Sequence, residues 1–231
     1  MAIKKKEEAK QPAVEVSKLQ QFFDRNKKVI YGIGIAAIVI VVGVFLYINF
    51  VRNPRREAAR KAVAVATAAV NETGFAEADS LTLATMLHGD PVTKAQGLVD
   101  IIDEYGRKAG AAEAYAGAAE MQLGNFAEAK AHLEKYKTDD PVMKAAAVAA
   151  IADCDVELGN LDSAAAGFMK AADMIDNVTS ARYLFKAGLV YEALGQNDKA
   201  LEAYRKIKNR YPDSYEAQTG IDIYISKLET K

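Results

Sequence analysis

Three near-copies of one motif decide the fold of this chain: LGNFAEA at 123–129, LGNLDSA at 158–164 and LGQNDKA at 194–200. The glycines of these copies, together with Gly89 upstream, stand 35, 35 and 36 residues apart. A fixed period of this size is typical of a helical solenoid, in which each unit is too small to bury its own apolar face and stacks on its neighbours. The period therefore predicts an all-α repeat domain with a long concave surface.

The third copy indicates how one unit folds. Across residues 181–212, apolar side chains recur at helical spacing, the turn around Gly195 breaks the pattern, and the pattern resumes until Pro212. This order predicts a helix, a glycine turn and a second helix. Gly188 allows the two helices to approach closely, and Tyr204 is expected to fill the gap between them.

The pattern resembles the tetratricopeptide repeat (TPR). The positions that carry the resemblance are Gly188, Tyr191, Gly195, Ala200, Tyr204 and Pro212. The chain departs from the consensus at Asn197, where an aromatic residue is usual, at Glu120 and Asp155, where a tyrosine is expected, and at Asp176, where a proline is expected. The resemblance implies units at 111–141, 146–176 and 181–212, a degenerate unit at 76–106, and a capping helix at 214–228 that covers the open end of the stack.

A second feature lies upstream, where residues 29–51 carry no charge. A helix of this length covers about 30 Å of hydrocarbon, which is enough to cross a bilayer. One alternative is a buried core helix, which an alanine-rich solenoid would not surround with apolar groups. Another is a cleaved signal peptide, but its apolar stretch is usually about 7–15 residues and ends in a small-x-small site. Here the stretch continues into Ile48-Asn49-Phe50-Val51-Arg52, so an uncleaved transmembrane helix is expected.

Charges flank this helix on both sides. The basic tail, 1–28, has eight basic and four acidic residues, which favours a cytoplasmic location by the positive-inside rule. The far side is also basic close to the helix, so the rule discriminates poorly. We expect the tail to be cytoplasmic and the solenoid periplasmic, in the usual arrangement of a signal anchor in a bacterial inner membrane.

The remaining divisions follow from composition. Within the tail, a short amphipathic segment at 16–23 either rests on the lipid headgroups or extends the spanning helix. Residues 52–75 form a juxtamembrane linker, in which Pro54 can open a helix at about 55–71. The solenoid then occupies 76–231.

The combined layout resembles the ancillary TPR subunit of the bacterial SecYEG translocon. The residues that carry this resemblance are Phe22-Phe23 followed by Asp24-Arg25-Asn26, one span, a basic exit segment and degenerate repeats. The resemblance implies protein partners: the Sec translocon, a periplasmic chaperone, or secreted chains as they emerge.

A search for catalytic chemistry argues against an enzyme. His88 and His132 have no second histidine or cysteine at ligand spacing, and Cys154 is the single cysteine. No phosphate-binding glycine loop follows a strand, so no metal or cofactor is expected. Nucleic acid is disfavoured as a partner because the chain after Thr73 has 17 basic and 25 acidic residues.

The first helix of each TPR unit faces the groove. The predicted protein-binding residues are therefore Tyr115, Gln122, Asp153, Glu157, Arg182, Lys186, Leu189 and Glu192. Arg182 and Lys186 form a basic pair one turn apart, although Arg182 could instead pair with an acid such as Asp155. Two hypotheses follow: an adaptor that binds proteins through the groove, or a structural subunit held by its transmembrane and juxtamembrane helices.

Overall fold

The structure is a computed structural model that describes residues 12–230, with side chains from residue 20 onward. The first eleven residues of the predicted basic tail lie outside the described residues. Over the described range the chain consists of helices and connecting loops, without a strand. The single β-type pairing in this range is an isolated bridge between Asp90 and Ala95. The prediction of an all-α fold is confirmed.

Packing divides the chain into two units, residues 1–54 and residues 55–231. The first unit contains helix α1, Pro12–Tyr47, and a π-helical turn, Ile48–Arg52. An 18-residue window of this helical run reaches a mean hydropathy of 2.8, and none of the window is buried. The helix is thus long and apolar enough to cross a membrane. The segment at 16–23 belongs to α1, so the continuous helix is the alternative that is observed.

The second unit is a succession of helices, with a 3₁₀ turn at Gly106–Ala109. The helices are α2 Asn53–Ala66, α3 Ala68–Thr73, α4 Ser80–His88, α5 Leu98–Tyr105, α6 Ala112–Leu123, α7 Phe126–Lys135, α8 Pro141–Glu157, α9 Leu161–Met174, α10 Val178–Ala193, α11 Asn197–Arg210, α12 Tyr215–Thr219 and α13 Ile221–Glu229.

Three helical hairpins occupy the centre of this unit, α6–α7, α8–α9 and α10–α11. Each turns at a motif glycine, and Gly124, Gly159 and Gly195 have φ angles of 82°, 78° and 71°. Glycine adopts this left-handed conformation without the steric cost that a Cβ imposes. The residue after each glycine donates its N–H back to the first helix, as in the 2.8 Å bond from Gln196 to the Tyr191 carbonyl. The repeated motif therefore acts as a helix terminator.

The hairpins are held together by close contacts between small and large side chains. Tyr204 is fully buried, and its ring occupies the space that a Cβ at Gly188 would need. The same core cluster contains Phe168, Leu184 and Ile207. The sequence prediction that Gly188 admits Tyr204 agrees with this packing.

Several elements differ from the expected boundaries. The helix expected at 55–71 ends at Ala66, where Thr67 adopts φ −93° and ψ 0° before α3 begins. Its hydroxyl donates to the Val63 carbonyl at 2.9 Å and so satisfies a group at the helix end. Pro141, assigned to the end of one unit, is the first residue of α8 and is capped by Asp140. Proline fits this position because its missing N–H has no helical partner there.

The two ends of the solenoid also differ from the simple repeat. The expected capping helix at 214–228 is two helices, α12 and α13, because Gly220 at φ 138° interrupts it. In the degenerate unit, Gly89 ends α4 but α5 begins only at Leu98. Gly89 and Gly97 pack backbone against backbone, so the intervening loop is closed by contacts that tolerate no side chain.

Candidate protein-binding face

Ion pairs at the repeat spacing show which helices lie side by side. Lys186 of α10 contacts Asp153 of α8 at 2.7 Å, which joins two first helices. Lys206 of α11 contacts Asp173 of α9 at 2.7 Å, which joins two second helices. In the second and third hairpins, the first helices therefore lie side by side, and so do the second helices. We call the solvent-facing side of α6, α8 and α10 the first-helix face.

Four of the eight predicted binding residues are exposed, and one of these, Arg182, lies beside a carboxylate. Gln122 lies on α6 and Glu157 on α8, and both are exposed. Leu189 of α10 is 41% exposed. These three side chains are available to a partner.

Tyr115, another of the predicted binding residues, contacts an aromatic ring of the protein itself. Its ring stacks on Phe75, with centroids 6.1 Å apart and planes 19° apart, and it is half-buried. Phe75 follows α3 and packs in the same apolar cluster as α4 and α6. Phe75 thus covers part of the Tyr115 ring in the first hairpin.

The basic pair of α10 is engaged within the protein. Lys186 donates to both carboxylate oxygens of Asp153, at 2.7 and 2.8 Å, and lies 5.4 Å from the centre of the Phe168 ring. Arg182 is exposed and approaches Glu216 of α12 at 3.7 Å. The alternative in which Arg182 pairs with a nearby acid thus agrees with the structure, but the acid is Glu216 and not Asp155, which is buried and accepts from Lys130, Asn160 and Ser163.

Glu192, also predicted to line the groove, serves the packing of the last hairpin. It accepts a 2.8 Å hydrogen bond from the Tyr204 hydroxyl and a 2.8 Å contact from Lys227 of α13. This carboxylate therefore links three helices, α10, α11 and α13. A partner that used Glu192 would have to share it with these internal bonds.

The two carboxylates at the consensus tyrosine positions are buried, which sequence reasoning did not anticipate. Asp155 is 2% exposed and accepts bonds from Lys130 at 2.7 Å, Ser163 at 2.8 Å and Asn160 at 3.2 Å. Burial opposes ionisation of Asp155, but these hydrogen bonds outweigh it and hold its pKa below the ordinary value. Glu120 is equally inward and accepts from Asn125 at 2.7 Å.

The signal for this arrangement is present in the sequence. An asparagine follows each buried acid by five residues, directly after the turn glycine. In the third unit, the corresponding residues are Tyr191 and Gln196. In the first two hairpins an acid thus stands at the position of the consensus tyrosine, and an asparagine accompanies it. The asparagine, at the turn of the same hairpin, donates a hydrogen bond to the buried carboxylate.

Cys154 and His132, which the sequence offers as candidates for chemistry, make structural contacts. Cys154 is fully buried, and burial raises the pKa of its thiol to about 11, which disfavours the nucleophilic thiolate. His132 lies 2.7 Å from Glu113 across α6 and α7. Among the described residues, no group of three histidine, cysteine, aspartate or glutamate side chains is arranged to hold a metal ion.

Comparison with known proteins supports the interpretation of the repeats. A sequence profile of the tetratricopeptide repeat matches residues 182–214, which span α10, α11 and the loop before α12. No curated protein sequence matches the chain significantly. The profile match and the paired helices together support a TPR protein, a non-catalytic fold that binds other proteins.

Proposed function

We propose that this protein is a membrane-tethered scaffold whose TPR groove binds protein partners beside the Sec translocon. In this proposal α1 anchors the chain in a bacterial inner membrane, the tail is cytoplasmic and the repeats are periplasmic. The partners are the translocon itself, a periplasmic chaperone, or secreted and envelope proteins as they emerge. The protein performs no catalysis and needs no cofactor.

The TPR match at 182–214 carries the proposal, because this fold presents a concave face to peptides and helices. Gln122, Glu157 and Leu189 add specific support, since they are exposed on successive first helices. An exposed apolar side chain between polar ones is the usual composition of a binding surface. The apolar helix α1 supports the tether, and the resemblance in layout supports the translocon as the site of action.

A second function is favoured by one observation. Lys186, Asp153 and Glu192 are all engaged in internal contacts, which fits a groove that is largely idle. In that case the protein is a structural subunit of a membrane complex, and its main contacts run through α1 and the basic segment after it.

Site-specific photo-crosslinking in living cells separates the two. A benzophenone amino acid is placed on the first-helix face at Gln122, Glu157 or Leu189. Matched controls carry it at exposed positions of the second helices, Glu128, Lys170 and Asn209. The adaptor predicts adducts with translocon subunits, a chaperone or a secreted chain from the first-helix positions and none from the controls. Adducts formed only from probes in the span or in the basic exit segment would favour the structural subunit.

A further inference from the structure

Helix α2 begins with a cluster of positive charge that the groove does not use. Four basic side chains stand within seven residues, and all four are exposed. They are Arg55, Arg56, Arg60 and Lys61, which we call the exit cluster. Glu57 is the single acid among them. The opposite side of the helix is buried through Ala59 and Val63, so α2 is docked by its apolar face and presents its charges to solvent.

The exit cluster differs from the basic residues of the last four helices. Helices α10 to α13 contain eight basic residues, and seven of them pair with a carboxylate within 4 Å. Among the described residues, none of the four side chains of the exit cluster has such a partner. Arg55 is near enough to Glu104 for its charge to help lower the pKa of that carboxyl, but it forms no ion pair with it. The exit cluster is thus a concentration of positive charge that is available to an external anion.

Their position in the chain indicates which anion. Arg55 follows the end of the apolar stretch, Val51, by four residues, and Lys61 follows it by ten. At about 3.5 Å per residue at most, Arg55 lies within about 14 Å of that end in any chain conformation. In a helix, Lys61 is about 15 Å away. The headgroup layer is several ångströms thick and its potential extends about 10 Å further, so the exit cluster lies within reach of it.

We propose that the exit cluster binds the headgroups of anionic phospholipids on the side of the membrane where α1 emerges. This inference rests on the tether proposed above. Each basic residue near an anionic surface strengthens binding about fivefold, and four together make the attachment selective for anionic over zwitterionic lipid.

The test compares three versions of the full-length protein in a non-ionic detergent. One is the wild type. The second neutralises the exit cluster with Arg55→Gln, Arg56→Gln, Arg60→Gln and Lys61→Gln. The third is a control in which four exposed cations of the repeats, which also have no carboxylate partner, are neutralised by Arg107→Gln, Lys135→Gln, Lys144→Gln and Lys170→Gln. Native mass spectrometry measures how many phosphatidylglycerol and phosphatidylcholine molecules of equal chain length each version retains.

The wild type and the control should retain phosphatidylglycerol over phosphatidylcholine by roughly tenfold, and the exit variant should lose at least about fivefold of that preference. Free glycerol phosphate should not compete, because a retained lipid shares the detergent micelle with α1 and its headgroup is thereby held beside the exit cluster. Equal preference in all three versions would overturn the proposal, as would full competition by glycerol phosphate. A preference lost equally in the control would also overturn it, since it would show a non-specific charge effect.

A flotation assay tests membrane insertion of α1 separately from the lipid preference of the exit cluster. All three versions should float with phosphatidylcholine vesicles, because insertion of α1 does not need the exit cluster. Failure of the wild type to float would overturn the tether and this inference together. Flotation without lipid preference would overturn this inference alone.

Discussion

The hydroxyl of Tyr204 donates a 2.8 Å hydrogen bond to the carboxylate of Glu192 across the third hairpin. The ring of Tyr204 is fully buried against Gly188, so its polar end reaches the one carboxylate that also holds Lys227 of α13. Burial and this bond both raise the pKa of Tyr204, which keeps the phenol protonated. One side chain thus fixes the spacing of the hairpin and ties it to the end of the solenoid.

Removing this hydroxyl tests its contribution. Tyr204→Phe should lower the free energy of unfolding by about 1.5 kcal/mol, because it deletes a hydrogen bond to a charged acceptor and leaves the packing intact. Thermal unfolding of the full-length protein in detergent, followed by circular dichroism, should show a Tm lower by several degrees. The control is Tyr215→Phe, whose ring is 73% exposed and which should change Tm by less than about 2 °C. Equal Tm values for both variants would contradict the assignment.

Whether substitution of Gly188 stabilises or destabilises the protein should depend on the side chain at position 204. Gly188→Ala should destabilise the protein by about 1–3 kcal/mol, because the added methyl overlaps the Tyr204 ring. In a Tyr204→Leu background that obstacle is removed, and the same change should stabilise by up to about 1 kcal/mol through helix propensity. Denaturant unfolding of the four proteins measures the cycle. If Gly188→Ala changes the free energy of unfolding equally in both backgrounds, the Tyr204 ring does not explain why residue 188 is a glycine.

The buried carboxylate of Asp155 should make the stability of the protein depend on pH. Its folded pKa is depressed, so its stabilising contribution is complete above the unfolded pKa of about 4 and is lost as the pH falls through the folded pKa. Asp155→Asn should therefore cost about 2 kcal/mol near pH 7 and distinctly less near pH 3. The control Asp222→Asn removes an exposed pair with Lys208 and should cost less than about 0.5 kcal/mol at both values. A deficit for Asp155→Asn that does not change with pH would contradict the proposed ionisation.

The local parts of the fold could be predicted from the sequence. Gly124, Gly159 and Gly195 mark the turns because a left-handed backbone favours glycine strongly enough to leave a period. Gly188 and Tyr204 could be matched because the TPR pattern pairs them. The long apolar helix is visible in the sequence because its length and apolar character are continuous.

The parts that depend on contacts between distant segments could not be predicted. The sequence offers Asp155 as a possible partner of Arg182, but in the structure Arg182 lies beside Glu216 of α12. The positions of α12 and α13 depend on packing that no local sequence pattern encodes. The stacking of Tyr115 on Phe75, from the predicted juxtamembrane segment, is likewise a contact between distant residues that no local pattern encodes. The division of the last helix at Gly220 was visible in principle, since a glycine inside a helical pattern often marks an end.

Substitutions in the apolar helix α1 test whether it inserts in the membrane. Val39→Asp combined with Val41→Asp should oppose membrane insertion, because each aspartate near the centre of a span costs about 2.5–3.5 kcal/mol. After extraction of membranes with alkaline carbonate, the wild type should remain in the pellet and the double variant should move substantially to the supernatant. Val92→Asp is the control, since Val92 is 86% exposed in a loop of the repeat unit and should leave the pellet fraction unchanged. Retention of the double variant would show that another segment holds the protein to the membrane.

The most direct measurement of the central claim is protease accessibility on spheroplasts that carry the full-length protein, with antibodies against the tail and against the last helix. A solenoid tethered outside the inner membrane by α1 predicts that protease removes the C-terminal epitope while a small fragment with the tail and span is protected. Disruption of the membrane should then expose the tail as well. Survival of the C-terminal epitope in intact spheroplasts, with loss of the tail, would contradict the account.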